Sequence, residues 1–493
     1  MDVPAAEGAE AQPILAYVGG LDVTDGRWDT PDHVLFRSLL DNHKDDFYNG
    51  CVQTTPEVGP RQPWHDIHAR VEGPVAKDVL DNFTERWRHQ VKEKEYRLLP
   101  MGDELDFSAL AEVEEGSEWN AQLFRSITSD SAAFDLNRIQ YVPKRKIKNV
   151  DDSILRAYIH HIRKADHFMF FENQYFLGSA FNWEDEVTTK AHHLIPQEIT
   201  HRICDKISAG EHIVAYIIIP IHPEGDPTTD AVQAILHCQH RTMEMMYKKI
   251  ATTIKKKKLE TKPTDYLTFF CLGKGECSDD IPAELPKPEP GTPGARLRET
   301  ARFMIYVHSK IMIIDDDYIL VGSANINQRS MVGTRETEIA VGAYQPLHTS
   351  EVSGYPRGSV HQFRMALWAE HLNGVEEVHA NPGTLECVKA VNQLATKNWE
   401  QFVTDEPCHI TGHLLHYPVN VNDDGSVTAL KDFPNFPNTE APILGAPILE
   451  SRPKAYHQMK THHSHPIVNK ISQISQPITA VSVPYREQHD WAK

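Results

Sequence analysis

The sequence predicts an α/β protein in which a mixed, mostly parallel sheet is sandwiched between helices. Three observations lead there. Apolar runs of strand length recur, with IVAYIIIPI at 213–221 the longest; segments of helical period lie between them; and turn signals such as HPEGDP close them. Strands covered on both faces read as unbroken apolar runs, and interleaved helices supply the cover.

The elements follow in chain order. ILAYVGGLDV (14–23) reads as a strand ending at a Gly pair, followed by the turn-rich TDGRWDTPDH. VAKDVLDNFTERWRHQV repeats Val75, Val79, Phe83 and Trp87 at helical spacing, whereas residues 91–150 show no clear period. DDSILRAYIHHIRKA is an amphipathic helix with an acidic start, FMFFENQYF a strand and loop, and PQEITHRICDKISAG a helix closed by Gly210. A long helix, AVQAILHCQHRTMEMMYKKIATTIKKKK, carries core methionines and ends in Lys255 to Lys258, where cations complement the helix dipole. YLTFFCLG is another strand, and the Pro-rich, acidic SDDIPAELPKPEPGTPG an exposed loop. The tail from Ser451, rich in His, Pro, Ser and Lys, reads as disordered; its His457, His462, His463 and His465 form no paired ligand set.

Composition narrows the class. A chain of 493 residues, 40% hydrophobic and 24% charged, folds and has room for two or three domains. A net charge of −19 argues against a protein built to neutralise a nucleic-acid backbone. Seven cysteines without a CxxC pair argue against a disulfide framework or zinc ribbon and for a reducing compartment. MDVPAAEGAEAQP lacks the pattern of a signal peptide, and no run reaches the ~20 apolar residues of a membrane span.

The chemistry lies in YVHSKIMIIDDDYILVGSANINQRS, residues 306–330. On a strand, side chains two apart share a face, so His308 and Lys310 project together. The DDDY turn reverses the chain, and a hairpin brings Ser323 and Asn325 to the same end of the sheet. Such a group suits a phosphodiester. Lys310 offers a fixed charge to a nonbridging oxygen, Ser323 and Asn325 donate hydrogen bonds, and His308 attacks phosphorus or protonates the leaving oxygen. Asp315 is expected to hold the imidazole or neutralise the local charge. Alone, H-x-K would be read as an exposed strand edge; the register H-x-K, four residues, D, six residues, G-S-x-N carries the argument.

That register resembles the signature of the phospholipase D superfamily. GSANINQRSM, TEIAVGAYQP, VGGLDVTDGRWDTPDH, GPRQPWHDIH, FENQYFLGSAF, RTMEMMYK and YLTFFCLG resemble its plant-type, calcium-dependent members over about residues 14–450. The resemblance implies hydrolysis of phosphatidylcholine and related lipids to phosphatidic acid and a free head group, through a phosphohistidine formed between two motifs. It implies a protein that is cytoplasmic and peripheral on phospholipid membranes. It makes Gln174 a phosphate contact, His33, His65 and Glu370 holders of Ca2+, and Arg329 and Glu338 supports of the hairpin. Calcium prefers oxygen, so His65 read alone is an ordinary surface histidine.

The chain departs from the family pattern in carrying one motif and no lipid-binding C2 domain. It reads as a fragment: residues 1–150 end the first catalytic half, 151–375 form the second half, 376–450 the C-terminal region and 451–493 the tail. The first-motif His of the family is the expected nucleophile, which leaves His308 as acid and base, although its own residues fit either role. A missing N-terminal half or a second chain would complete the site. Two other readings share the motif: a dimeric single-motif nuclease or phosphodiesterase, and a noncatalytic lipid- or partner-binding remnant.

Overall fold

The computed structural model describes residues 12–91, 98, 105–106, 116–132, 150–183, 191–354 and 356–447. The expected disordered tail, with its histidines, lies outside them, as does most of the stretch 91–150. The principal sheet has eleven strands: β1 (Trp64–His65), β2 (Asn120–Thr128), β3 (Val150–Asp151), β4 (Phe168–Asn173), β5 (Val214–Ile218), β6 (Leu267–Gly275), β7 (Arg302–Val307), β8 (Lys310–Ile314), β9 (Tyr318–Gly322), β10 (Glu338–Tyr344) and β11 (Leu414–His416). Their order is β1-β7-β6-β5-β4-β8-β9-β10-β2-β3, with β11 on β6. Strands from residues on both sides of 150 and of 375 therefore share one sheet.

The sheet is mixed as the sequence implies, but its parallel part is small. Only β4, β5 and β6, and the pair β1 with β7, run parallel; the other pairings are antiparallel. The unbroken apolar runs reflect burial on both faces and carry no information on strand direction. One core contains Met312 and Ile314 and is covered by helices Ser153–Lys164, Ile195–Ala209 and Asp230–Lys257; the other contains Ile311 and Ile313 and is covered by Ser359–Leu372 and Leu385–Phe402. The alternation along β8 thus feeds both cores, as a period of two requires.

Helix Pro74–Gln90 forms where the spacing predicts it, with Val75 buried and Phe83 50% exposed. Its apolar stripe is buried only at the N-terminal end. Met243, Met245 and Met246 are core, and Lys255 to Lys258 are exposed. Gly210 closes its helix at φ 81, in the left-handed region where glycine has no Cβ penalty.

The segment read as one strand through His308 is two. Phe270 of β6 pairs with both β5 and β11, and Leu272 pairs with both β7 and β11. A strand residue has one neighbour on each side, so β7 continues along the edge of β6 beyond the end of β5. The chain then steps across at His308 and Ser309 to pair with β4 from its other side as β8. This step lies over the carboxyl ends of the parallel strands, where open α/β sheets place their ligands. Backbone N–H groups of His308 and Ser309 both donate to the carbonyl of His65, which fixes the crossing.

All three aspartates of the turn between β8 and β9 are anchors. Asp315 and Asp316 have φ 54 and 57, the positive values of a tight hairpin turn, which Asp tolerates. Asp316 takes Arg364 on both oxygens at 2.7 and 2.8 Å and His361 at 2.7 Å, tying the turn to helix Ser359–Leu372. Asp317 accepts from the Ser350 N–H and hydroxyl. Asp315 sits at the end of β8 opposite from His308, and its carboxylate accepts from the backbone N–H of Asp166, His167 and Phe168 at 2.6, 2.8 and 2.7 Å. This corrects the expectation that Asp315 holds the imidazole; a strand of five residues separates them.

Asp315→Ala leaves three donors at the start of β4 without their acceptor. It should lower stability to urea by about 3 kcal/mol or more, since each hydrogen bond to a charged group is worth about 1.5–3 kcal/mol. A change within about 0.5 kcal/mol, the range of an ordinary surface substitution, would contradict this structural role.

Candidate active site

The crossing at residues 308–309 sets the site. His308 projects from it with its side chain 10% exposed, and its Nδ1 lies 2.8 Å from Asp66 Oδ2. Burial raises the Asp66 carboxyl, but the hydrogen bond from His308 and the charges of His308 and Lys310 outweigh this and hold it below the usual range. Asp66 is therefore an acceptor and Nδ1 donates to it, which leaves Nε2 as the ring nitrogen not committed to Asp66. Nε2 faces Asp22, 3.8 Å from its Oδ2. Trp64 packs on the imidazole with ring centroids 4.9 Å apart, and the Arg27 guanidinium lies over Trp64 and Tyr48 at 4.0 and 4.1 Å.

Lys310 is buried beside it and donates to Gln174 Oε1 at 2.9 Å and to the His308 carbonyl. Burial pulls its ammonium down to about 8, against the opposing pull of Asp66, Asp22, Glu338 and Glu224. Asn325 donates to the same Gln174 oxygen at 3.2 Å, and Gln174 Nε2 donates to Tyr306 at 3.0 Å. Four predicted residues, His308, Lys310, Gln174 and Asn325, thus converge. Among the described residues the buried Asn325 Oδ1 has no hydrogen-bond partner.

Ser323 departs from expectation. Its single hydroxyl proton goes to Glu338 at 2.6 Å, and its oxygen accepts from the Ile339 N–H at 3.1 Å. Ser323 is thus committed to the hairpin and is not a free phosphate donor. Glu338 also accepts from Ser330 at 2.7 Å, which makes it the support expected; burial raises its carboxyl despite these bonds. Arg329 is largely exposed and pairs with Glu336.

His33, His65 and Glu370 meet although they are far apart in sequence: their ligand atoms lie within 4.8 Å of one another. Glu370 Oε1 is 3.1 Å from both His33 Nε2 and His65 Nδ1. The second nitrogen of each ring is held in turn, His33 Nδ1 by Asp29 and His65 Nε2 by Glu172, both at 2.8 Å. Burial lowers both imidazoles, but the facing carboxylates more than reverse this and leave both raised. The outer carboxylates orient the rings as they do in metal sites. The donors number two imidazole nitrogens and one carboxylate, whereas calcium takes six to eight oxygens. These three side chains alone do not make a calcium cage.

Behind this cluster lies Glu172, fully buried and shared by His65, His371 at 2.7 Å and Ser309 at 2.8 Å. Burial raises its carboxyl, and the two imidazoles reverse the shift to well below the usual range. Sequence reasoning missed Glu172, His371, Asp66, Asp29 and Asp22. Asp66 stands in the quoted PWHDIH, yet its partner is 242 residues away. Glu172 gave one usable signal: a carboxylate inside the apolar run FMFFEN requires buried partners.

A sequence model of the phospholipase D family matches residues 1–445. Phospholipase D alpha 2 of Oryza sativa subsp. japonica is 45% identical over 470 residues, covering 90% of this chain and 56% of that protein. Phospholipase D alpha 1 of Zea mays is 46% identical over 455 residues, covering 89% and 56%. The chain therefore spans little more than half the length of these curated relatives. Among solved structures, the phospholipase D family member Nuc from Salmonella typhimurium aligns over 46% of this chain and 84% of its own, with 13% identity and a TM-score of 0.20. From the family model, which matches nine-tenths of its length, this chain belongs to the phospholipase D family.

Proposed function

We propose that this chain supplies one side of a phospholipase D centre, which hydrolyses phosphatidylcholine and related glycerophospholipids to phosphatidic acid and free head group. The observation that carries this is the His308–Asp66 pair beside Lys310. An imidazole with Nδ1 fixed on a carboxylate offers Nε2 to the substrate, and a lysine 2 residues away along the chain offers charge to the same phosphate.

His308 acts as acid and then base. With Nε2 protonated it donates to the leaving alkoxide as the phosphorus–oxygen bond breaks, and the neutral ring then takes a proton from the water that attacks the phosphoenzyme. Asp66 stabilises the imidazolium in the first step and keeps the tautomer in the second. The nucleophilic His belongs to the opposite side of the pocket, supplied by a segment bearing the first motif or by a second chain. Lys310 and Asn325 hold the nonbridging oxygens and Gln174 orients both donors. The substrate would be met at a phospholipid surface, with the protein peripheral and cytoplasmic. No described helix is long and apolar enough to cross a membrane. Calcium enters this reading through His33, His65 and Glu370 only if further oxygen donors join them, so no step runs through it.

Choline release from phosphatidylcholine vesicles tests the half-site. Joined behind the preceding segment of the rice relative, the chain should turn over, and His308→Ala should cost about 10²–10⁴ in rate, the range of general acid–base catalysis. As a monomer, the chain alone should show no His308-dependent release. Release by the lone monomer at the joined rate, abolished by His308→Ala, would overturn the half-site reading.

Lys310 sets a pH limit. Its pKa of about 8 lies below the ordinary value, so the folded chain binds fewer protons than the unfolded one between about 8 and 10.5. The stability cost of burying the charge is full below pH 8 and is relieved as pH rises. Phosphate affinity runs the other way: inhibition of the joined enzyme by inorganic phosphate should weaken above pH 8, by up to about tenfold per pH unit for one linked proton. Lys310→Arg should flatten that slope, because guanidinium stays charged. Phosphate inhibition that is constant in the wild type from pH 7 to 10 would remove Lys310 from this role.

A further inference from the structure

A second cluster of metal-ligating side chains lies outside the active site. Cys277, Asp280 and His409 bring a thiol, a carboxylate and an imidazole together, with ligand atoms within 4.8 Å of one another. They come from two segments: the short helical turn Ser278–Asp280 just after β6, and the loop after helix Leu385–Phe402. His409 Nε2 lies 3.1 Å from Asp280 Oδ2, with the His side chain 58% exposed.

Both segments are fixed independently of this contact. Within the turn, the Cys277 N–H donates to Asp280 Oδ2 at 2.7 Å and the Asp280 N–H to the Cys277 carbonyl at 3.0 Å, so the C-x-x-D spacing sets two ligands on one turn. The loop is held by Arg302, which donates to the carbonyls of Phe402 and Thr404, and by Arg296, which binds Asp405 at 2.7 Å. The Cys408 carbonyl lies so close to Gly275 that a Cβ there would stand 2.5 Å from it, and only glycine lets loop and strand approach this far. Cys408 directs its own sulfur at the Gln401 carbonyl, 3.6 Å away, so Cys277 is the thiol of the cluster.

We propose that Cys277, Asp280 and His409 bind a zinc-class divalent ion, with water in the fourth position, as a clip between the end of β6 and the 404–413 loop. Thiolate and imidazole select zinc over calcium or magnesium, and three protein ligands plus water is an established zinc arrangement. Ligand atoms of a tetrahedral zinc stand about 3.5 Å apart, so the ion closes separations in this set by at most about 1.3 Å and slightly widens the 3.1 Å pair of His409 and Asp280. The cysteine loses its proton to solvent on binding.

Cobalt substitution separates this site from the His33, His65 and Glu370 cluster, which contains no sulfur. The full chain, reduced and freed of metal with a chelator, is titrated with Co2+. The near-ultraviolet thiolate-to-cobalt band should appear at one ion per chain and be displaced by one equivalent of Zn2+. Cys277→Ser should abolish the band, Cys408→Ser should keep it, and His409→Ala, at an exposed position, should weaken Co2+ binding at least about tenfold. Absence of the band, its survival in Cys277→Ser or its loss in Cys408→Ser would overturn the proposal.

Discussion

Glu172 has its carboxylate fully buried at the end of β4, with both oxygens engaged by groups from distant parts of the chain: His65 from the first segment, Ser309 from the crossing and His371 from a C-terminal helix. A buried charge costs several kcal/mol in lost hydration, and it persists only when paired and hydrogen-bonded. The chain meets that condition by bringing three elements to one strand end. Each then places a group of the site. His65 carries Asp66 beside it, Ser309 follows His308, and His371 follows Glu370.

The same constraint explains why charged groups surround a centre suited to an anion. Lys310 is buried among Asp66, Asp22, Glu338 and Glu224, and its charge is weakened by burial more than those carboxylates restore it. A lysine poised in this way responds strongly to an arriving phosphate, which supplies the negative charge at close range. Asp66 meanwhile fixes one nitrogen of His308 and leaves the other facing Asp22, where the proposed reading places the substrate. The polar network is thus a device of orientation: Gln174 binds Lys310, Asn325 and Tyr306 at once and so fixes three side chains.

Much of this was legible in the sequence because it is local. Strand period placed His308 with Lys310, and the G-S-x-N spacing after a tight turn brought Asn325 alongside them. Two assignments failed for the same physical reason. Asp315 and Ser323 lie in the motif's register, but hydrogen bonding is decided by what approaches in space: three backbone N–H groups reach Asp315, and Glu338 reaches Ser323. Apart from Asp29, four residues before His33, the carboxylates that position the histidines of the site come from more than a hundred residues away, and no periodicity announces them. The break of the apolar run at His308 was hidden too, because β7 and β8 are equally apolar and differ only in which strands they join.

Urea unfolding of Glu172→Gln tests the central claim most directly. The substitution keeps the shape, removes the charge and leaves His65 and His371 facing a neutral amide. Breaking one side of a buried ion pair costs about 3–5 kcal/mol, and the account predicts a loss of that size, with weaker phosphate inhibition of the joined enzyme as Asp66 and His308 lose their register. A Glu172→Gln chain within about 0.5 kcal/mol of the wild type, with phosphate inhibition unchanged, would contradict it.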